Sequence, residues 1–397
     1  MGYFSRIFNK MENAFLFAVD VLIRNAALYK GQRIGLVTNN AATTAEGIQS
    51  RVAMQLAGLQ LVKLFSPEHG IARIGADGVG QSDAIDLLTG LPIISLYGEK
   101  LAPTAADLND LDLLLFDVPD IGCRFYTYLW TMTHTMEAAA KCNIKLLILD
   151  RPNPIGAILS QTEGPWLDEL RCSSFIGRWN IPIRHCTTLG ELALYFAAEK
   201  ISSCPVEVIK MEGYHRHFNA VKHFKFVPTS PAMPSIQTAF LYPGMGLLEG
   251  VNVSEGRGTD FPFMRIGAPW INKEVFINAI SAKGEIAIDC KACQFIPTEG
   301  LYKGVNCFGM DIEIKDIDLL RPVELGILII TTLFQLYPQQ LKERLYPTAA
   351  NPSGSGHLDK LLGINQSLKS ICEQKNIEVS ISADWIQRIQ PYLLYPY

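Results

Sequence analysis

The sequence predicts an α/β protein, with a parallel sheet in its first half and a second, smaller α+β domain in its second half. Three observations carry this prediction. Short apolar segments rich in β-branched residues recur at intervals of about thirty residues, which suits βαβ units. Helical patterns separate these segments, and the chain becomes rich in Pro and Gly beyond residue 226. Strands covered by helices on both faces are continuously apolar, as these segments are.

Each predicted strand ends in polar residues. We expect strands at 33–38, 59–66, 91–98, 111–117 and 144–150, and helices at 43–58, 125–142 and 189–200. Ligands of an open parallel sheet bind outside the carboxyl ends of its strands. The polar residues that follow these ends are therefore expected to meet at one rim: Asn39, Glu68, His69, Asp117, Asp120, Arg151 and Asn153.

The N-terminal segment predicts an amphipathic helix rather than a secretory signal. Phe15, Val19 and Leu22 fall on one helical face. Arg6 precedes an apolar run, as basic residues do in signal peptides. However, Asp20 interrupts that run and no A-x-A cleavage site follows.

Composition argues against several classes of protein. The chain has 397 residues, is 48% hydrophobic and 19% charged, and carries a net charge of −4. These values are typical of a globular protein that does not bind nucleic acid. No segment approaches the roughly 18 apolar residues of a membrane span. Nine cysteines scattered through apolar segments indicate reduced thiols. We expect a cytoplasmic protein, with a secreted or periplasmic location as the alternative, and the sequence predicts no oligomeric state.

The sequence predicts neither a cofactor nor a metal site. It has no G-x-G-x-x-G after a strand, no Walker A motif and no G-x-S-x-G elbow. Cys290 and Cys293 form a C-x-x-C without a second pair of ligands at zinc spacing.

The second half predicts loops around two strands and one long helix. The loops are expected at 226–235, 242–263 and 267–270, the strands at 293–297 and 305–315, and the helix at 322–338. We expect residues 1–227 to form a Rossmann-like catalytic domain. Residues 228–397 would form an α+β auxiliary domain that completes a cleft.

Carboxylates beside the strand ends indicate the chemistry. Glu68 lies in "SPEHG", Asp120 in "DVPDIGCRFYTY" and Glu255 in "EGVNVSEGRGT". A carboxylic acid can act as a general acid when burial raises its pKa, and glycosidic cleavage commonly uses two carboxyls. Tyr126 and Trp270 are aromatic residues suited to stacking on a sugar face.

Structural roles remain open for the same residues. The alternatives are a turn cap at Glu68, loop ordering at Glu255, ion pairs of Arg124 with Asp120 and of Arg151 with Asp150, and a structural histidine at His185.

Ordered motifs from about residue 15 to the C-terminus resemble one family. They include "GLVTNNAATT", "LFSPEHGI", "LLLFDVPDIGCRFYTY", "LDRPNPIG", "YPGMGLLEGVNVSEGRGTDFPF" and "YKGVNCFGMDIEI". This set resembles the NamZ-type exo-β-N-acetylmuramidases, long described only as a domain of unknown function. The resemblance implies a Rossmann-like domain, with a smaller domain forming one side of a cleft. It also implies release of terminal β-linked N-acetylmuramic acid from the non-reducing end of peptidoglycan fragments.

The resemblance makes Glu68 the catalytic acid and places residues 249–259 at the site. We expect His69 to orient Glu68, and either the substrate's acetamido group or a water activated by Asp120 or Glu255 to attack the anomeric carbon. The predicted substrate-binding residues are Asn39, Arg124, Tyr126, Arg151, His185, Asn252 and Arg257. Arginine suits the lactyl carboxylate because it binds carboxylates through two parallel hydrogen bonds.

The expected partner is a small-molecule substrate, either a muropeptide or an amino-sugar disaccharide. One alternative function is a non-catalytic muropeptide- or sugar-binding protein. The other is a deacetylase or amidase that acts on wall fragments, which metal dependence would favour.

Overall fold

The first half of the chain forms a seven-stranded sheet in the order β3-β4-β2-β1-β5-β6-β7. The structure is a computed structural model and describes residues 15–75, 78–80, 82–217, 225–284 and 286–397. The strands are β1 (Ile34–Thr38), β2 (Leu61–Ser66), β3 (Ala84–Ile85), β4 (Pro92–Ser95), β5 (Leu113–Asp117), β6 (Lys145–Leu149) and β7 (Val206–Ile209). Neighbouring strands pair in parallel, except β3, which pairs antiparallel with β4 at one edge.

This strand order is that of a Rossmann fold. Without the edge strand β3, the parallel strands have the spatial order 3-2-1-4-5-6, and the direction of winding changes between β1 and β5. The predicted fold class is therefore confirmed, including the second, smaller domain described below.

Alternate residues of the central strands face two separate hydrophobic cores. Leu114 and Phe116 of β5 pack into one core, whereas Leu113 and Leu115 pack into the other. Both faces of this sheet exclude water, which explains why its strands are continuously apolar rather than alternating.

Within the described residues, these helices accompany the sheet: α1 (Ala18–Arg24), α2 (Ser50–Leu56), α3 (Ala105–Leu108), α4 (Thr127–Cys142) and α5 (Leu189–Glu199). The hydroxyl of Thr188 begins α5 by accepting a hydrogen bond from the backbone N–H of Glu191 at 3.2 Å. The predicted helix at 43–58 is too long, because only α2 forms there. The basic residues that precede α1 lie outside the described part of the chain.

The second half contains a three-stranded antiparallel sheet in the order β8-β10-β9. Its strands are β8 (Arg265–Ala268), β9 (Ile288–Phe295) and β10 (Cys307–Ile314). The described part of this half also contains the helices α6 (Ile236–Met245), α7 (Lys273–Ser281), α8 (Pro322–Leu336), α9 (His357–Leu362), α10 (Ser367–Cys372) and α11 (Ser382–Ile389).

The prediction of a loop over residues 242–263 is wrong at its start, because α6 continues through Pro243 to Met245. The glycines that suggested a loop instead allow two helices to touch. A Cβ on Gly244 would lie 1.7 Å from the carbonyl oxygen of Pro322, where α8 begins. Glycine in this segment therefore reflects close helix packing, which a local pattern does not distinguish from a turn.

The end of the chain returns to the first sheet. The Tyr395 hydroxyl donates to Oδ2 of Asp150 at 2.6 Å, and the indole N–H of Trp385 donates to the carbonyl oxygen of His185 at 2.8 Å. The predicted boundary at 227/228 falls between β7 and α6 and stays a prediction. Among the residues that the structure describes, we find no helix with the length and hydrophobicity of a membrane span.

Candidate active site

A cleft with an empty volume of about 740 Å³ lies at the carboxyl ends of β2 and β4 and is lined by both halves of the chain. The first half contributes the loops after these strands, the start of α4 and residues 174–176. The second half contributes residues from the segment around 249–263, the 346–351 loop and α9. The cleft therefore lies at the edge where parallel sheets bind ligands.

Glu68 is held at the wall of this cleft by hydrogen bonds to both of its carboxyl oxygens. The hydroxyl of Thr127, the first residue of α4, donates to Oε2 at 2.7 Å. The backbone N–H of Gly78 donates to Oε1 at 2.8 Å. The side chain is only 4% exposed. These contacts fix the orientation of the carboxyl.

The turn after Glu68 is shaped by His69. This residue has a positive φ of 67°, which reverses the chain directly after the strand. Its ring Nδ1 lies 2.8 Å from the carbonyl oxygen of Gly75. A carbonyl can only accept, so Nδ1 carries the hydrogen and the turn is locked by this bond. His69 lines the cleft beside Glu68.

The 346–351 loop joins the two halves of the chain over the same turn. The backbone N–H of Ala349 donates to the carbonyl oxygen of Gly78 at 2.8 Å. Gly78 thus connects the Glu68 carboxyl to a loop about 280 residues further along the chain. The rings of Tyr346 and His357 stack at 4.5 Å and also line the cleft.

A second carboxyl of the cleft wall belongs to Glu249. Its Oε1 accepts from Nη2 and Nε of Arg257 at 2.7 and 3.1 Å. Arg257 also lies 3.4 Å from Oε1 of Glu255, whose Oε2 pairs with Arg344 at 3.2 Å. Carboxylates and guanidinium groups alternate in this network, so the charge of Arg257 is balanced before any ligand binds.

Aromatic side chains form another part of the wall. The rings of Tyr97 and Phe175 lie 5.4 Å apart, and both line the cleft. The Tyr126 hydroxyl is 2.5 Å from Oγ1 of Thr229. Burial raises the pKa of Tyr126, and the carboxyls of Glu68 and Asp120 raise it further.

Four of the predicted site residues line the cleft, namely Glu68, His69, Tyr126 and Arg257. The others lie elsewhere. Asp120 lines two smaller cavities at the ends of β5 and β6, where its Oδ2 accepts from the backbone N–H of Gly122 at 2.8 Å. Burial raises the pKa of Asp120 to about 7.

The two other predicted arginines are buried structural partners. Arg124 donates to the carbonyl oxygens of Pro165, Ile181 and Leu361 at 2.8 to 2.9 Å, and so ties the first half of the chain to α9. Arg151 binds Asp117 through two hydrogen bonds of 2.6 and 3.0 Å. The predicted pairings of Arg124 with Asp120 and of Arg151 with Asp150 are wrong. Arg124 instead binds backbone carbonyl oxygens, and Arg151 instead binds Asp117.

Asn39, His185 and Asn252 also stabilise local structure. Asn39 accepts from the backbone N–H of Ala41 at 2.9 Å in the turn after β1. His185 is buried, and burial lowers its pKa to about 3. Both ends of the Asn252 amide bind the backbone of residues 340–342.

Trp270 does not line the cleft. Its indole N–H donates to the hydroxyl of Tyr302 at 3.2 Å.

Several cleft residues were not singled out from the sequence: Thr127, Phe175, Tyr346, Asn351 and Lys360. Glu249 lies in the segment 249–259 that the family resemblance places at the site, and it lines the cleft. The Nδ2 of Asn351 is buried and has no hydrogen-bond partner among the residues that the structure describes. Lys360 donates to the carbonyl oxygen of Ser355 at 2.9 Å, and burial lowers the pKa of its ammonium group.

The fold and the site together define a two-domain α/β protein, in which a smaller domain closes a cleft over a buried glutamate at the edge of a Rossmann-type sheet. The chain belongs to the family of NamZ exo-β-N-acetylmuramidases. The N-terminal model of that family matches residues 34–237 and its C-terminal model matches residues 240–395. The family resemblance inferred from the sequence is thus confirmed.

Known proteins resemble the chain over most of its length. It is 37% identical over 337 residues to the peptidoglycan beta-N-acetylmuramidase NamZ of Bacillus subtilis (strain 168), which covers 84% of this chain and 78% of that protein. It is also similar to two crystal structures of DUF1343 family proteins from Bacteroides fragilis NCTC 9343. One has a TM-score of 0.84 at 29% identity and covers 97% of this chain and 100% of its own. The other has a TM-score of 0.74 at 27% identity and covers 96% and 99%.

Proposed function

We propose that this protein is a glycoside hydrolase that releases terminal β-linked N-acetylmuramic acid from the non-reducing end of peptidoglycan fragments. The observation that carries the proposal is the position of Glu68. In a chain of the NamZ family, this carboxyl is oriented by two hydrogen bonds at the wall of a cleft that both halves of the chain line. The substrate is a small molecule, either a muropeptide or an amino-sugar disaccharide.

The loops that bound the cleft favour cleavage at the end of a sugar chain. The 346–351 loop is bonded to the turn that carries Gly78, and residues 174–176 line the cleft as well. A polymer threaded through its middle would need a groove open at both ends. A cleft bounded by these two loops instead accepts a terminal sugar, which is what release of a single N-acetylmuramic acid requires.

In the proposed reaction, Glu68 donates a proton to the glycosidic oxygen as that bond breaks. His69 is a positioning residue, because its bond to the carbonyl oxygen of Gly75 fixes the turn that presents Glu68. A positioned general acid typically contributes about 10² to 10⁴ in rate.

The attacking group is either the substrate's own acetamido oxygen or a water activated by a carboxylate. The sequence favoured Asp120 or Glu255 for that carboxylate. Glu249 is better placed, because it lines the cleft that contains Glu68. The charge-assisted bonds from Arg257 match a carboxylate, which accepts and does not donate. We therefore assign activation of water, or stabilisation of the positive sugar transition state, to Glu249.

The lactyl carboxylate of the substrate requires a cation. Arg257 is engaged by Glu249 and Glu255, whereas Lys360 lines the cleft and forms no ion pair within 4 Å among the described residues. We assign the lactyl group to Lys360. Desolvation lowers the pKa of this ammonium group. A bound carboxylate would raise that pKa again, because an opposite charge stabilises the charged form.

We also propose that the enzyme acts in the cytoplasm on imported wall fragments. All nine cysteines are free, which suits a reducing compartment. Fractionation of cells, with detection of the native protein by antibody, tests this location.

The direct test of the function is incubation with a disaccharide whose non-reducing sugar is N-acetylmuramic acid, followed by product analysis and detection of the released anomer by NMR. Free N-acetylmuramic acid is the expected product. Binding of the disaccharide without release would contradict the proposal and identify a sugar-binding protein instead.

A further inference from the structure

We propose that a second pocket, separate from the cleft, binds a free α-amino acid with an apolar side chain. The pocket has an empty volume of about 400 Å³ and is lined by Phe17 and by residues from the segments 41–43, 119–120, 151–154 and 225–229. We call it the switch pocket, after its place in the sheet. Binding there does not depend on the proposed hydrolase function.

The switch pocket lies where the winding of the sheet changes direction, between β1 and β5. Its segments 41–43, 119–120 and 151–154 follow the carboxyl ends of β1, β5 and β6. Doubly wound sheets bind their ligands at this point. The cleft that contains Glu68 lies further along the same edge, at the ends of β2 and β4. The usual ligand position of this fold is therefore separate from the position of the proposed catalytic acid.

Side-chain contacts separate the switch pocket from the cleft. No described residue lines both cavities. The hydroxyl of Tyr126, which lines the cleft, lies 2.5 Å from Oγ1 of Thr229, which lines the switch pocket. The hydroxyl of Tyr128 donates to the carbonyl oxygen of Thr229 at 2.7 Å. A molecule in the switch pocket is therefore expected to bind without displacing a sugar beside Glu68.

One anchor of the switch pocket is the guanidinium of Arg151, a side chain that is only 9% exposed. Its Nε and Nη2 bind Asp117, and Nη2 also donates to the carbonyl oxygen of Thr43 and to Oγ of Ser50 at 3.0 and 3.1 Å. The ring centre of Phe17 lies 5.0 Å from the guanidinium carbon. Nη1 takes part in none of these hydrogen bonds. A ligand carboxylate can accept from Nη1 while the buried ion pair stays intact.

A second cation lies at the rim of the switch pocket. Lys225 lines the pocket, is exposed and forms no ion pair with the residues that the structure describes. The charge of Arg151 is already balanced by Asp117. The ammonium group of Lys225 therefore adds an unbalanced positive charge, which attracts a carboxylate.

Asp120 supplies an acceptor on the wall of the same pocket. Its Oδ2 accepts from the backbone N–H of Gly122, whereas its Oδ1 is buried and accepts no hydrogen bond of normal geometry from the described residues. A buried polar atom without a partner costs about 1–3 kcal/mol. The ammonium group of a ligand would provide the missing donor.

Apolar groups form most of the remaining wall. The ring of Phe17 is buried, Phe226 and Val227 are half-buried, and Pro152 and Pro154 also line the pocket. Contact with such a wall stabilises an apolar group roughly in proportion to the area that it buries.

These groups together specify the class of ligand. An α-amino acid presents a carboxylate, an ammonium group and a side chain from one carbon atom. The carboxylate matches the donors of Arg151 and Lys225, the ammonium group matches Asp120, and an apolar side chain matches the wall. A nucleotide is not expected, because no G-x-G-x-x-G follows β1.

Calorimetry with L-leucine and two analogues tests the switch pocket. Isocaproate lacks the ammonium group of leucine, and isoamylamine lacks its carboxylate. The titrations are carried out at pH 8, because burial raises the pKa of Asp120 to about 7 and the carboxyl is ionised above that pH. We expect each analogue to bind the wild-type protein at least about tenfold more weakly than L-leucine, the usual effect of losing a hydrogen bond to a charged group.

Two variants separate the two ends of the ligand. Asp120→Asn should weaken L-leucine binding by at least about tenfold, but it should not weaken the binding of isocaproate, which has no ammonium group. Lys225→Met should weaken both L-leucine and isocaproate by about two- to fivefold, as expected for an exposed ion pair, and should not weaken isoamylamine. Lys283→Met is the matched control, because Lys283 is an exposed lysine that lines neither cavity.

Urea unfolding shows whether each variant is folded. Lys225 is exposed, so its variant is expected to fold even if replacement of the buried Asp120 prevents folding. The proposal is overturned if L-leucine shows no saturable binding to the wild type, or if the pocket variants change its affinity no more than Lys283→Met does.

A competition experiment distinguishes the switch pocket from the cleft. L-leucine is titrated into Glu68→Gln with and without a disaccharide whose non-reducing sugar is N-acetylmuramic acid. We expect the same affinity for L-leucine in both titrations. Displacement of L-leucine by the disaccharide would place the amino acid in the cleft and overturn the proposal.

Discussion

The backbone N–H of Gly78 donates to the carboxyl of Glu68 at 2.8 Å, and the carbonyl oxygen of Gly78 accepts from Ala349 at the same distance. One residue therefore connects the proposed catalytic acid to a loop of the second domain. The geometry of the acid depends on contacts that form only when both halves of the chain are packed together.

Gly78→Ala tests this connection. Gly78 has a φ of 68°, and a Cβ there would lie 2.8 Å from Cγ2 of Thr348. We expect a loss of about 1–2 kcal/mol of stability from the left-handed backbone, and a lower kcat because the loop and Glu68 must shift. Gly47→Ala is the control, because Gly47 also has a positive φ of 82° but has open space around it. Steady-state kinetics measure kcat of both variants, and thermal unfolding measures their stability. Equal effects on kcat would argue against a role for Gly78 at the site.

Thr127→Val removes the other hydrogen bond to Glu68 while keeping the shape of the side chain. Glu68 is uncharged when it donates its proton, and a hydrogen bond between uncharged groups is worth about 0.5–1.5 kcal/mol. We therefore expect kcat to fall by about two- to tenfold with a small change in stability. Thr135→Val is the control, since Thr135 is a buried threonine of the same helix whose hydroxyl bonds only to the backbone carbonyl of Thr131. Wild-type kcat in Thr127→Val would show that the Thr127 bond does not position the acid.

Arg151→Met distinguishes a structural role from the predicted substrate-binding role. The variant leaves the fully buried Asp117 without its cation, which costs about 3–5 kcal/mol of stability. Combining it with Asp117→Asn should recover part of that loss. Urea unfolding measures both variants, and the folded double variant should retain the wild-type KM. A raised KM with little loss of stability would instead place Arg151 at the substrate.

Asp120→Asn tests a dependence on pH. Burial raises the pKa of Asp120 from 3.8 to about 7, so the unfolded chain loses this proton at lower pH than the folded protein. The contribution of Asp120 to stability is therefore present below about pH 4 and is lost as the pH rises towards 7. The variant should match the wild type near pH 4 and exceed it at pH 8. Each pH unit between the two pKa values corresponds to about 1.4 kcal/mol.

Unfolding by urea at pH 4, 6 and 8 measures this difference, and a difference that is constant with pH would contradict it. Loss of hydrolysis by the folded variant would support the catalytic role that the sequence suggested for Asp120.

The sequence predicted those structural features that a local pattern of residues determines. The apolar run that ends in Ser66 predicted a buried strand with Glu68 at its end, because strand periodicity and parallel-sheet topology are properties of short segments. The same reasoning predicted Arg151 as a ligand-binding residue at the rim, and the structure pairs its guanidinium with the buried Asp117. A polar residue after a strand looks alike whether it faces a ligand or a buried partner such as Asp117, and only packing between distant segments decides.

The contacts between the two halves of the chain could not be predicted from a single sequence. Thr127 begins a helix, and Lys360 lies on a short helix near the C-terminus. Neither has a local feature that distinguishes a cleft residue from a surface residue. Their roles follow from the docking of the second domain onto the sheet, which depends on side-chain packing rather than on periodicity.

The most direct test of the central claim is the hydrolysis of a chromogenic N-acetylmuramoside by Glu68→Gln, measured beside its unfolding by urea. Glutamine preserves the size of the side chain but supplies no proton to a leaving group. We expect a loss of about 10²–10⁴ in kcat or more, with the unfolding curve close to that of the wild type. Hydrolysis near the wild-type rate by the folded variant would contradict it.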